Sequence, residues 1–133
     1  MHLIEQIKIP SKLEDISMVE SQVENLKAKL NIDDAIYGNM MLAVVEAVTN
    51  AITHGNHYAP DKQVTFQTYK NTRSLKFMIS DEGEGFDPNR VPDPTLPENL
   101  EKPCGRGVYL IKHLADLVVF HDKGRTIELR FRI

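Results

Sequence analysis

The chain has 133 residues and a mass of 15.1 kDa, with 41% apolar residues, and is expected to form a single domain spanning 1–133 that buries roughly two thirds of its unfolded surface. A formal charge of −3 and a pI near 5.9 argue against a protein that neutralises nucleic-acid phosphates or clings to an anionic membrane. One cysteine, Cys104, excludes an intramolecular disulfide framework and fits a reducing compartment. The opening segment MHLIEQIKIP carries Glu5 and Lys8 early and lacks the apolar core of a secretion signal. No run approaches the roughly 18 apolar residues of a membrane span. The expectation is a cytoplasmic protein with no direct nucleic-acid contact and no membrane segment.

In chain order, Leu3, Ile4, Ile7 and Ile9 before Pro10 predict a strand over 2–9. Ser11 and Glu14 have the spacing of a capping box. Leu13, Ile16, Val19, Val23, Leu26 and Leu30 then recur at three- and four-residue steps, one apolar face of a helix over about 12–30. Asn31 to Asp34 offers a break and a new N-cap. Ile36, Met40, Val44, Val45, Val48 and Ile52 repeat with helical spacing, which predicts a second helix over about 35–54 stopped by Gly55. Val64, Phe66 and Thr68, then Leu75, Phe77 and Ile79, alternate with polar residues about a turn at 71–74, a hairpin.

Residues 82–104 change character. They hold five of the seven prolines and show no periodicity, the mark of a long functional or disordered loop. Residues 81–104 carry a net charge of −5, and residues 105–133 carry +3. After Gly107, Val108, Ile111, Leu114 and Ala115 read as a helix. Leu117–Phe120 reads as a short strand, Asp122-Lys123-Gly124 as a turn, and Ile127, Leu129, Phe131 and Ile133 as a last alternating strand. Strands grouped in hairpins with helices between the groups predict an α+β, two-layer α/β sandwich, a largely antiparallel sheet with its helices on one face.

Three clusters can carry chemistry. Glu46, Asn50 and His54 form a stripe along the second helix. Asn is a mediocre helix former, so Asn50 in mid-helix needs a reason. A carboxamide oxygen suits Mg²⁺, and a nearby carboxylate can take a proton. Asp81-Glu82-Gly83-Glu84-Gly85-Phe86 follows a strand, where the glycines let backbone turn sharply against a ligand and Asp81 can accept from an exocyclic amine. Gly105-Arg106-Gly107 precedes a helix, where free N–H groups and the dipole favour an anion. Taken singly, each cluster fits equally a solvated helix face, a glycine turn or a flexible cap. His54-x-x-His57 has no third ligand near in sequence and is not read as a zinc site.

Together and in this order, the three clusters resemble the N, G1 and G2 boxes of the GHKL ATPases, the superfamily of gyrase, Hsp90, histidine kinases and MutL. The small size and the runs EAVTNAITHG and GRGVYLIKHLAD are similar to the bacterial anti-sigma-factor serine kinases of the stress-response and sporulation type. The resemblance implies a Bergerat fold, with a mixed, mostly antiparallel sheet of about five strands and three helices. It also implies ATP and Mg²⁺ as cofactors. Asn50 would ligate the Mg²⁺, and Glu46 would be the general base for an attacking hydroxyl. Asp81 would bind the adenine amine, with Gly83 and Gly85 shaping the base pocket. Gly105, Arg106 and Gly107 would line the phosphates, with Val108 next to them in the nucleotide site. Residues 86–104 would be the ATP lid, and Thr126 would support Asp81. Where the sporulation-type kinases carry an Arg two residues before the G2 box, this chain has Pro103, so Lys102 or Arg106 is expected to supply that cation. The implied activity is an ATP-dependent serine/threonine protein kinase that binds a sigma factor and phosphorylates an anti-anti-sigma partner, working as a homodimer. The alternative is a non-catalytic ATP-binding module that acts by sequestering a protein partner.

Overall fold

The computed structural model describes residues 1–85 and 103–133; the expected lid falls outside the described residues from 86 to 102. The elements are β1 (His2–Pro10), α1 (Ile16–Leu30), α2 (Asp34–Asn50), a wide π turn (Ala51–Gly55), β2 (Gln63–Lys70), β3 (Ser74–Ser80), α3 (Pro103–Leu114), β4 (Leu117–His121) and β5 (Thr126–Arg132). The sheet order is β1-β2-β3-β5-β4. The four pairings among the described strands are all antiparallel, where a mixed sheet was expected. The crossover from β3 through α3 places β4 one strand beyond β5. β3 and β4, which run the same way, therefore do not pair.

Alternation along each strand decides which face is apolar. Val64, Phe66, Leu75, Phe77, Ile79, Ile127, Leu129 and Phe131 are buried on the helix side. Phe66 and Phe77 stack across β2 and β3 with ring centroids 5.5 Å apart, an offset aromatic pair that adds to burial. Val19, Val23 and Leu26 of α1, Met40, Val44 and Val48 of α2, and Ile111 of α3 close the layer. The segment Asp34–Gly55 is long and apolar enough to cross a membrane by length and composition. Here it is the central helix of the interior, with Met40, Ala43, Val44 and Val48 fully buried.

Two local readings are corrected, and a third, the cap expected within 31–34, is located. Ser11 does not cap α1: it is buried, and its hydroxyl donates to the carbonyl of Lys62 at 2.6 Å, so a tertiary acceptor outcompetes the local one. The α2 cap is Asp33, whose carboxylate accepts from Ala35 N at 3.0 Å. The third helix begins at Pro103 rather than after Gly107; proline suits the first helical position, where its missing N–H is no loss.

Candidate functional site

The end of α2 is loosened from within. Thr49 Oγ1 donates to the carbonyl of Val45 at 2.7 Å, and Thr53 Oγ1 to that of Thr49 at 2.8 Å. Such back-bonding competes with the regular helical ladder. The chain then widens into the π turn, a form that recurs at functional sites. Between this end, β3, β5, β4 and α3 lies a cavity of about 130 Å³. Asn50, Ala51, His54 and Gly55 line it from the helix, Asp81 and Gly85 from the turn after β3, Val108 and Ile111 from α3, and Gly124 and Arg125 from the turn before β5.

Asn50 and Asp81, 31 positions apart in sequence, thus face one space. Close backbone approach holds each of them. A Cβ on Gly107 would stand 2.6 Å from Asn50 Nδ2, so a glycine there leaves room for the carboxamide. A Cβ on Gly55 would collide with the Asp81 carboxylate, and one on Gly83 with the carbonyl of Gly55. Gly55, expected only to stop a helix, is therefore the floor under Asp81. Gly85 adopts φ +83°, a left-handed conformation natural to glycine, and lies against the carbonyl of Lys123.

The turn after β3 is tied at nearly every backbone group. Asp81 N donates to the carbonyl of Arg125 at 2.9 Å. Glu82 N donates to Asn56 Oδ1 at 2.7 Å, and Gly83 N to Asp81 Oδ1 at 2.8 Å. Asn56, 1% exposed, also donates through Nδ2 to Ser11 Oγ at 3.0 Å and to the carbonyl of Gln63 at 3.1 Å. One side chain thereby joins the ends of β1 and the π turn, the start of β2 and the site loop. Burial pushes the Asp81 carboxyl above its ordinary range, opposed by the Gly83 amide and the charges of Arg125 and Lys62.

Of the other expected residues, Val108 is buried and lines the cavity. Glu46, one turn before Asn50, is half-buried and is not part of the lining. Gly105 and Arg106 contribute backbone to the first turn of α3; the Arg106 side chain and all of Lys102 lie outside what is described. Thr126 opens β5, and its Oγ1 pairs at 2.9 Å with the Oγ of Ser80, the residue before Asp81. The carbonyl of Arg125, just before this strand, accepts from Asp81 N. Asn56 and Arg125 escaped the sequence reading, because their distant partners lie 26 to 45 positions away and no local pattern marks them. Among the described residues, no cluster of three or more His, Cys, Asp or Glu could hold a metal ion.

The sequence profile of the histidine kinase-like ATPase domain matches residues 9–131. The chain belongs to this family. Serine-protein kinase RsbW of Bacillus cereus strain AH820 is 29% identical over 132 residues, covering 92% of this chain and 80% of the relative. RsbW of Bacillus anthracis and of Bacillus thuringiensis match over the same extent at the same identity. A solved structure of the RsbU and RsbW domains of a Mycobacterium tuberculosis protein superimposes with a TM-score of 0.64 at 14% identity. It spans 97% of this chain, which covers 32% of that longer one. This likeness shows the fold, a two-layer α/β sandwich. Family membership brings nucleotide use with it, and the fold carries four of the expected residues, Asn50, Asp81, Gly85 and Val108, to one cavity.

Proposed function

We propose that this chain is an ATP-dependent serine/threonine protein kinase of the anti-sigma-factor type. The observation that carries the reading is the convergence of Asn50 and Asp81 on one cavity, each seated against a glycine whose Cβ would displace it. Asp81 presents a carboxylate acceptor suited to an exocyclic amine, held by the Gly83 amide on one oxygen. Apolar Ile79, Val108, Ile111 and Ile127 line the same space and suit a flat aromatic base. Asn50 fits Mg²⁺: it offers a hard carboxamide oxygen, and Mg²⁺ bound with nucleotide needs few protein ligands because phosphate and water complete its shell. Bound Mg·ATP supplies the phosphoryl group. The chain's own residues bind the base, orient the phosphates and, at Glu46, take the proton of the attacking hydroxyl.

The names of the relatives support a serine as acceptor. The likeness to anti-sigma kinases supports a sigma factor as the bound partner, an anti-anti-sigma protein as the phosphorylated one, and the cytoplasm as the place. The open edge of β1, with Leu3 and Ile4 exposed, supports a homodimer, to be checked by sedimentation at micromolar concentration. Glu46 standing outside the cavity lining favours a second reading, a module that binds ATP and sequesters its partner without transfer. One experiment separates them: incubation with Mg·ATP and the products of neighbouring genes, with detection of phosphoserine. Transfer to one partner is expected. Nucleotide binding without transfer to any of them would establish the sequestering role.

A further inference from the structure

The turn before β5 has an uncommon backbone. Asp122, Lys123 and Gly124 all have positive φ, at 51°, 57° and 81°. Two successive non-glycine residues in the left-handed region persist only where their surroundings hold them. Backbone bonds from Gly124 N to the His121 carbonyl and from Arg125 N to the Asp122 carbonyl, both at 3.1 Å, close the turn, and one side chain ties it to the rest of the site. Arg125 Nε donates to the carbonyl of Gly83 at 2.7 Å and Nη2 to that of Glu84 at 3.1 Å, while Nη1 returns to Asp122 at 3.4 Å. The Arg125 carbonyl accepts from Asp81 N at 2.9 Å. Arg125 therefore grips the turn after β3 through both its backbone and its guanidinium. A planar fork of donors can serve two neighbouring carbonyls at once, which a lysine ammonium cannot do in fixed geometry. The grip sets the spacing of the two turns, and Gly85 already touches the Lys123 carbonyl. Both turns line the cavity.

We propose that Arg125 is a positioning residue for base recognition, fixing where the Asp81 carboxylate stands by clamping the carbonyls of Gly83 and Glu84. This rests on the nucleotide reading of the cavity. Arg125 acts on the loop backbone; Asp81 is the group that meets the base. The consequence is selectivity. Adenine presents an amine donor to a carboxylate, whereas guanine presents a carbonyl at the same place, so a well-placed Asp81 accepts one and repels the other. A carboxylate that drifts loses affinity for ATP and has little to lose for GTP.

The test is calorimetric titration of the full chain with Mg·ATP and Mg·GTP, for wild type, Arg125→Met and Arg125→Lys. Hydrogen exchange of the nucleotide-free proteins accompanies it. Arg125→Met is expected to weaken ATP roughly 10- to 100-fold, the scale of a small displacement of a recognition group, and GTP by less than about three-fold. Arg125→Lys keeps the charge without the fork and should stay nearer Met than wild type. Exchange at the Glu82 and Gly83 amides should quicken in both variants while β3 and β5 hold. Unchanged ATP affinity in Arg125→Met, equal losses for ATP and GTP, or full rescue by lysine would each overturn the proposal. So would faster exchange throughout β3 and β5, which would make Arg125 a general support of the fold. A wild type that binds no nucleotide would take down the functional reading as well, whereas a wild type that binds ATP with an indifferent Met variant overturns this inference alone.

Discussion

Among the described residues, two cavities between the helices and the sheet can be compared. One sits at the end of α2, under β3, β5 and β4; the other lies between α1 and the β1–β2 edge, lined by Ile4, Glu5, Gln22, Asn25, Leu26, Lys29, Leu30 and Thr68. The second is the larger, at about 190 Å³ against about 130 Å³. Their polar groups are held very differently. Around the first, Asp81, Glu82 and Gly83 have named partners, and glycines let backbone and side chain close up without a Cβ between them. In the second, the fully buried Thr68 Oγ1 and the Gln22 Oε1 make no protein hydrogen bond, and Gln22 reaches Glu5 only at 3.4 Å. The register between β1 and β2 is irregular between Leu3 and Glu5, and Ile4, the residue left without a partner there, lines this cavity. Volume and preorganisation therefore point to different cavities. A built site is recognised by side chains held in place before any ligand arrives, which is what tight and selective binding requires.

The comparison can be broken at four points. The largest effect is expected at Asn50: Asn50→Ala should abolish Mg·ATP binding and phosphotransfer together, read by calorimetry and phosphoserine detection. Retained binding would remove Asn50 from the metal site. Glu46→Gln should leave nucleotide affinity in place and slow phosphotransfer by about 10²–10⁴-fold, the usual range for a general base. An unaffected single-turnover rate would show that Glu46 is not the base.

Asp81→Asn should weaken Mg·ATP by roughly 1.5–3 kcal/mol, typical of a hydrogen bond to a charged group. Its effect on stability should run the other way. A carboxyl whose pKa is raised by folding adds stability at low pH and loses it as pH rises through the folded value. At neutral pH the ionised Asp81 therefore opposes the apo fold. Asp81→Asn should melt at the same temperature as the wild type or higher. In the wild type, ATP affinity should fall on acidification beginning above the ordinary carboxylate range, and a flat pH profile would contradict this. The smallest effect belongs to the second cavity. Thr68→Val swaps a hydroxyl without a protein partner for a methyl, so it should change stability by less than about 1 kcal/mol, neutral or favourable, and leave ATP affinity untouched.

The residues that disclosed themselves in the sequence are those whose partners lie on a repeating period. The alternation of β2, β3 and β5 and the three- and four-residue steps of α1 and α2 repeat because one face of each must meet the core. The three box clusters were legible because each is contiguous. What escaped is long-range and polar. Ser11 looks like a cap until Lys62, 51 positions on, takes its hydroxyl. Asn56 and Arg125 sit in loops with no period, and their work is visible only once Glu82, Gly83 and Glu84 are beside them.

The central claim is that the smaller, preorganised cavity is where the nucleotide binds. Hydrogen exchange with and without Mg·ATP tests it most directly. The account predicts added protection in residues 81–85, 107–111 and 124–127, with no change at Ile4, Glu5 or residues 22–30. Protection centred on the α1–β1 cavity, or none anywhere at millimolar nucleotide, would contradict it.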